Sequence, residues 1–132
     1  MCIFCAIANH EIPSSIVYED EEVMAFLDIS QVTKGHTLVI PKQHVSDLLA
    51  CEPKTLTKVI QTAQLLGNRI MKATGAQGMN VLSNVKEAAG QTVPHFHIHL
   101  IPRYDETDAC VIEFHESAPQ NLEEVLQLIL SE

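Results

Sequence analysis

The sequence predicts an α+β fold with a mostly antiparallel sheet, on three observations. Short β-branched and apolar runs recur through the first hundred residues. Two longer segments show helical spacing. Strands and helices do not alternate in the regular order that builds parallel βαβ units. A chain of 132 residues with 46% hydrophobic and 19% charged residues is long enough to bury one core.

The elements follow in chain order. Residues 15–18 (Ser-Ile-Val-Tyr) and 23–29 (Val-Met-Ala-Phe-Leu-Asp-Ile) flank the acidic turn Glu19-Asp20-Glu21-Glu22, which reads as a hairpin. Gly35 precedes His36-Thr37-Leu38-Val39-Ile40, a strand stopped by Pro41. A short helical turn is expected over Ser46–Ala50. Pro53 suits a first helical turn, and Leu56, Val59, Ile60, Ala63, Leu66 and Ile70 recur at helical spacing until Gly75. Residues 79–84 read as a further strand. Asn121 caps a last helix, with Glu124 three residues on, and Leu122, Val125, Leu126 and Ile129 form its expected buried stripe.

Composition narrows the function. The first residues, Met1-Cys2-Ile3-Phe4-Cys5, have neither a basic segment nor a long apolar one, so no secretory signal is read and a cytosolic protein is expected. No apolar run is long enough for a membrane span. The net charge of −9 argues against a nucleic-acid surface, which needs a basic stripe. A small anionic substrate stays possible if histidines, backbone amides or a metal supply local positive potential. Cys2 and Cys5 form a C-x-x-C pair without a preceding strand, which favours metal over thioredoxin-like redox chemistry; two reduced thiols at a buried edge are the plainer alternative. Cys51 and Cys110 read as small apolar residues, and His10 and His115 as surface residues.

The segment Val93-Pro94-His95-Phe96-His97-Ile98-His99-Leu100-Ile101-Pro102-Arg103 places three of the seven histidines in five positions. A strand puts His95, His97 and His99 on one face and Phe96, Ile98 and Leu100 on the other; a helix would turn His97 away. The expectation is a strand bounded by its prolines, apolar side to the core and imidazoles to an exposed or cleft side. Positions 95 and 99 of a strand lie roughly 13 Å apart, too far for all three imidazoles to share one ion. Two neighbours could hold a catalytic metal, or one imidazole could act as a covalent nucleophile while the others steady a phosphate.

At this point the sequence resembles the histidine-triad (HIT) nucleotide hydrolases and transferases. His95-Phe96-His97-Ile98-His99-Leu100-Ile101 is similar to the family's alternating signature. The segments "VYEDEEVMAFLDIS", "KGHTLVIPKQH" and "GQTVPHFHIHLIPR" resemble family segments in the same order. The chain reads as one domain, motif-bearing over 2–104, with an extension and helix over 105–132. The resemblance implies a five-stranded antiparallel sheet with two main helices, pairing into a ten-stranded sheet in a homodimer. It implies that His97 attacks the α-phosphate of a purine nucleotide, that His99 contacts the phosphate, that His95 braces the site, and that His36 completes the network. It places Asn84, Gln91 and Thr92 near the phosphates and Asp28 at the ribose. Phe4, Ile7, Phe26, Leu27 and Ile29 would line the base pocket. A bacterial zinc-containing type further implies a structural zinc on Cys2, Cys5, His44 and His95.

Four activities compete. The first is hydrolysis of a nucleoside phosphoramidate through a nucleotidyl-histidine. The second is hydrolysis of dinucleoside polyphosphates, since the tryptophan-containing C-terminal motif of the phosphoramidase branch is missing from a chain without tryptophan. The third is a non-catalytic nucleotide-binding module. The fourth is a zinc hydrolase with a catalytic ion on His95 and His97.

Overall fold

The computed structural model describes residues 1–131. Five strands form one antiparallel sheet: β1 Ile16–Glu19, β2 Val23–Leu27, β3 Thr37–Pro41, β4 Gly78–Leu82 and β5 Ile98–Arg103, in the spatial order β1-β2-β3-β5-β4. Three helices accompany them: α1 Ile3–Ala8, α2 Pro53–Thr74 and α3 Leu122–Leu130. No helix among the described residues is long and apolar enough to cross a membrane.

The hairpin, the third strand and the long helix stand where the sequence puts them. Pro53 begins α2, and Gly75 ends it in the left-handed conformation at φ 72°. Its stripe of Val59, Ala63, Leu66 and Ile70 packs on Val23, Ala25, Val39, Phe96, Ile98 and Leu100. The expected turn at Ser46–Ala50 is a 3-10 turn, Leu48–Ala50, capped by the Asp47 carboxylate, which accepts from the Leu49 and Ala50 amides. The acidic turn is closed by Asp20, whose Oδ1 accepts from the Glu22 and Val23 amides at 2.8 Å each.

Helix α1 has no counterpart among the predicted elements. At six residues it shows no periodicity, and its cap is a cysteine: Cys2 Sγ accepts from the Cys5 amide at 3.4 Å. It covers the sheet face opposite α2, burying Phe4, Ile7 and Ala8 against Met24, Phe26, Leu38 and Ile40. Layers on both faces explain why β2 and β3 are buried nearly throughout and lack simple alternation.

Two expectations are corrected. The histidine strand starts at Ile98, so only His99 lies in regular β structure, and it runs through Pro102 to Arg103. Pro102 is tolerated because β3 pairs only with Ile98–Leu100, leaving residue 102 paired on one side alone. His95 and His97 precede the strand and are buried, not exposed. The stripe on α3 is not buried: Leu122, Val125, Leu126 and Ile129 are all exposed, because no other element among the described residues covers this helix.

Gly35 sits between the end of α2 and β5 at the approach to His36. It holds φ 96°, and a Cβ there would lie 3.3 Å from Pro102 Cγ and Thr74 Cγ2. Both the left-handed backbone and the close approach of α2 and β5 demand glycine. Gly35→Ala is expected to cost about 1–3 kcal/mol in urea unfolding; wild-type stability in that variant would contradict the packing described.

Candidate functional site

The histidines converge where α1, the loop before β3 and the segment entering β5 meet. Backbone bonds fix the entering segment. The Phe96 amide donates to Val45 O at 2.6 Å, the His95 amide to Val93 O at 2.8 Å, and Ser83 Oγ to His97 O at 2.7 Å. Pairing of Leu38 with His99 then sets His36, one residue before β3, beside the last histidine.

Each imidazole can be assigned a tautomer from its neighbours. His95 Nε2 lies 2.8 Å from Pro41 O, an acceptor only, so the proton sits on Nε2 and Nδ1 keeps a lone pair. His97 Nδ1 lies 2.7 Å from His95 O, so Nδ1–H donates and Nε2 is bare. His36 Nε2 lies 3.0 Å from His99 Nδ1. His36 Nδ1 is buried and has no partner, so a proton there would be wasted; Nε2–H donates instead, and His99 carries its proton on Nε2. A bare nitrogen on His97 and an N–H on His99 thus belong to adjacent rings, whose centroids are 5.0 Å apart.

Burial holds His36, His95 and His97 below the ordinary imidazole value. His99 is pushed down to about 4, by burial first and then by its neighbours His97 and His36. The cluster is therefore neutral near pH 7, which leaves His97 Nε2 free to act as a nucleophile.

Asp28 reaches this cluster from the loop after β2. Its Oδ2 lies 3.7 Å from His36 Nε2, while Oδ1 accepts from the Ser30 amide at 2.8 Å. Gln31 knits the loop: Nε2 donates to Asp28 O and His36 O, and Oε1 accepts from the Gly35 amide. Of the apolar set, Phe4, Ile7 and Phe26 are buried together, whereas Leu27 is part-exposed and Ile29 fully exposed. Phe4 stands perpendicular to His97 with centroids 5.0 Å apart. Asn84 is half-buried, with Nδ2 3.4 Å from Gly90 O. Gln91 is turned to the backbone: Oε1 accepts from the Lys86 amide and Nε2 donates to Ser46 O and Val93 O. It shapes the loop instead of presenting a free amide. Thr92 is exposed beside it.

A second constellation abuts the first. Donor atoms of Cys2, Cys5, His44 and His95 lie within 4.8 Å of one another. His95 Nδ1 is 3.4 Å from Cys2 Sγ and 3.6 Å from Cys5 Sγ, and His44 Nδ1 is 3.3 Å from Cys5 Sγ. A tetrahedral zinc with thiolate and imidazole ligands has S···N edges of about 3.5 Å. The donor set therefore fits a closed structural site. Pro41 O serves as the outer acceptor that holds the His95 ring in ligating orientation. Burial, and then the adjacent Cys2, push the Cys5 thiol up. His97 belongs to no such ligand group among the described residues, which removes the pairing of His95 and His97 around a catalytic ion.

Sequence reasoning missed Gln31, Ser83 and the carbonyls of Pro41 and Val45. A polar residue at positions 31 and 83 is ordinary in a loop, and a backbone carbonyl has no signature in sequence at all.

Together these features define an antiparallel α+β domain with a neutral imidazole cluster beside a Cys₂His₂ constellation. The HIT domain model matches residues 9–106, and the chain belongs to the HIT family, a nucleotide-binding superfamily that includes hydrolases. An uncharacterised HIT-like protein of Methanocaldococcus jannaschii is 45% identical over 129 residues, covering 98% of each chain. The crystal structure of a HIT family protein from Bacillus anthracis superimposes with a TM-score of 0.89 at 46% identity, covering 98% of this chain and 95% of that one. An adenylylsulfatase of Arabidopsis thaliana is 40% identical over 102 residues, 77% of this chain and 52% of the plant protein.

The tautomers are open to direct measurement. Long-range ¹H–¹⁵N correlation spectra are expected to show His97 protonated on Nδ1 and His95 on Nε2. A His97 ring protonated on Nε2 would overturn the assignment of the bare nitrogen.

Proposed function

We propose that this protein hydrolyses, or transfers, the nucleotidyl group of a purine nucleoside phosphoramidate or a related nucleotide. The observation that carries the reading is the bare Nε2 of His97, left so by the bond from Nδ1–H to His95 O. In the proposed first step the Nε2 lone pair attacks the α-phosphorus. A P–N bond to the imidazole forms as the P–N bond to the leaving amine breaks, and the amine takes its proton from solvent water. Charge developing on the His97 ring is stabilised by the His95 carbonyl that Nδ1–H already meets. His99 donates its Nε2–H to a phosphoryl oxygen, and His36 holds His99 in that tautomer. Water then attacks the nucleotidyl-imidazole, releasing the nucleotide and restoring His97. Asp28 is assigned to ribose hydroxyls through Oδ2, Asn84 and Thr92 to the phosphate end, and Phe4, Ile7, Phe26, Leu27 and Ile29 to the base. The adenylylsulfatase relative supports a substrate with an adenylyl group and an activated phosphorus.

A second reading takes dinucleoside polyphosphates as substrate. It is favoured by the lack of any tryptophan in the chain. The chemistry at His97 is unchanged, and only the leaving group differs.

Adenosine 5′-phosphoramidate is expected to release AMP with the wild type. His97→Ala should lose turnover on the order of 10³-fold or more while still binding AMP. Unchanged turnover in that variant sinks the covalent mechanism. Competition between phosphoramidate and diadenosine polyphosphate would then choose the leaving group.

We further infer that zinc occupies the Cys2, Cys5, His44 and His95 site in a structural role, which suits a reducing, cytosolic setting. When bound it supplies no chemistry to the substrate; it fixes α1 and the His95 ring. Cys2→Ser and His44→Ala should each lose the metal, measured by atomic absorption, and lower the melting temperature. His97→Ala should keep one zinc per chain. Equal zinc content in all four proteins would disprove the ligand set.

A further inference from the structure

Three donor side chains meet where the loop between β2 and β3 runs against β5. The Asp28 amide donates to His36 O at 3.0 Å, which closes this loop at its base. Gln31 clamps the same two residues through its side-chain amide. Pairing of β3 with β5 sets Leu38 across from His99, two residues along from His36. One donor atom from each of Asp28, His36 and His99 lies within 4.8 Å of the other two. None of the three belongs to the group of Cys2, Cys5, His44 and His95. All three are rooted in paired backbone, which holds a ligand set more firmly than a free loop does.

The spacing of these donors suits a shared cation. Asp28 Oδ1 is engaged by the Ser30 amide, which leaves Oδ2. Oδ2 is 3.7 Å from His36 Nε2, too far for a hydrogen bond, and His36 Nε2 is 3.0 Å from His99 Nδ1. A tetrahedral ion with bonds of about 2.0–2.2 Å to nitrogen and oxygen has ligand–ligand edges of about 3.4 Å. The two edges here fall within roughly 0.4 Å of that, one on each side. Two imidazoles and one carboxylate, with no thiolate, suit zinc, cobalt, nickel or copper(II), and not the all-oxygen sites of calcium and magnesium. Three protein ligands leave a fourth position for water. Asp28 and His99 are part-exposed, so an ion enters from their side. His36 Nδ1 limits the strength. A metal on Nε2 moves the His36 proton to Nδ1, which is buried and has no partner. This site is therefore expected to bind more weakly than the Cys₂His₂ set, where Pro41 O already receives the outer proton of His95.

We propose that Asp28, His36 and His99 form a second metal site, which takes one divalent transition-metal ion when nucleotide is absent and gives it up when nucleotide binds. The ligand atoms are Asp28 Oδ2, His36 Nε2 and His99 Nδ1. Ion binding rests on these three donors alone. The competition rests on the proposed activity, in which the same Oδ2 meets ribose hydroxyls and His36 Nε2–H holds His99 in its tautomer. A bound ion withdraws both groups from the substrate and leaves His97 untouched. Free transition metal thus holds the protein in an inactive form that nucleotide reverses.

The test is titration of the full chain, incubated first with one equivalent of zinc, with cobalt(II) followed by absorption. Cobalt on nitrogen and oxygen gives visible ligand-field bands without the near-ultraviolet sulfur charge-transfer band of a cysteine site. The wild type should bind one cobalt with that signature. Asp28→Asn keeps the side chain's shape, so the fold is retained. It should weaken cobalt binding at least about 100-fold, because loss even of a ligand's outer partner costs about 10–100-fold. His36→Ala should do the same, and His97→Ala should keep the bands. Saturating AMP should bleach them in the wild type. No cobalt with the nitrogen–oxygen signature, or equal affinity in Asp28→Asn, overturns the site. Bands that persist with AMP bound overturn the competition. Calorimetry with AMP on the cobalt-free protein separates the two readings. Absent AMP binding sinks the nucleotide activity and the competition with it, while the cobalt bands and their loss in Asp28→Asn still decide the site.

Discussion

The arrangement depends on two backbone carbonyls. Pro41 O accepts from one nitrogen of His95, and His95 O accepts from one nitrogen of His97. Each bond fixes which nitrogen is bare. The bare nitrogen of His95 turns to the cysteines of the N-terminal helix, and that of His97 is left free beside His99. A single residue, His95, therefore joins the two constellations: its side chain serves one and its carbonyl the other. Alternating histidines let neighbouring imidazoles take separate jobs because the peptide between them is itself part of the circuit.

The sheet makes this possible by being covered on both faces. Helix α2 supplies the bulk of the apolar packing, through Val59, Leu66 and Ile70. Helix α1 covers the opposite face, and its Phe4 reaches both Phe26 and His97. Burial of the histidines follows from that cover, and burial keeps them neutral. Local glycine and loop chemistry, at Gly35 and Gln31, then brings His36 and Asp28 to the cluster's edge.

Much of this was legible in residues. The spacing in α2, its Pro53 start and its Gly75 stop are all local signals, and the structure places the helix accordingly. The Cys2, Cys5, His44 and His95 set was implied by family resemblance, and the fold draws the four donors together. Helix α1 was illegible because six residues are fewer than two turns, too short for a period to show. The start of β5 was misplaced because alternation is a property of extended chain, and residues 93–97 are irregular although the residue types alternate. The α3 stripe recurs at helical spacing as read, but it is exposed where the spacing predicts burial.

The brevity of α1 has a consequence for the order of assembly. Six residues cannot hold helical shape alone. They dock on β2, β3 and the segment around His95, elements separated from them by up to ninety positions in the chain. Ribosomal synthesis delivers α1 before its docking surface, which is complete only when residue 95 has emerged. Closure of α1 over His95 and His97 therefore belongs to a late stage of folding, not the first.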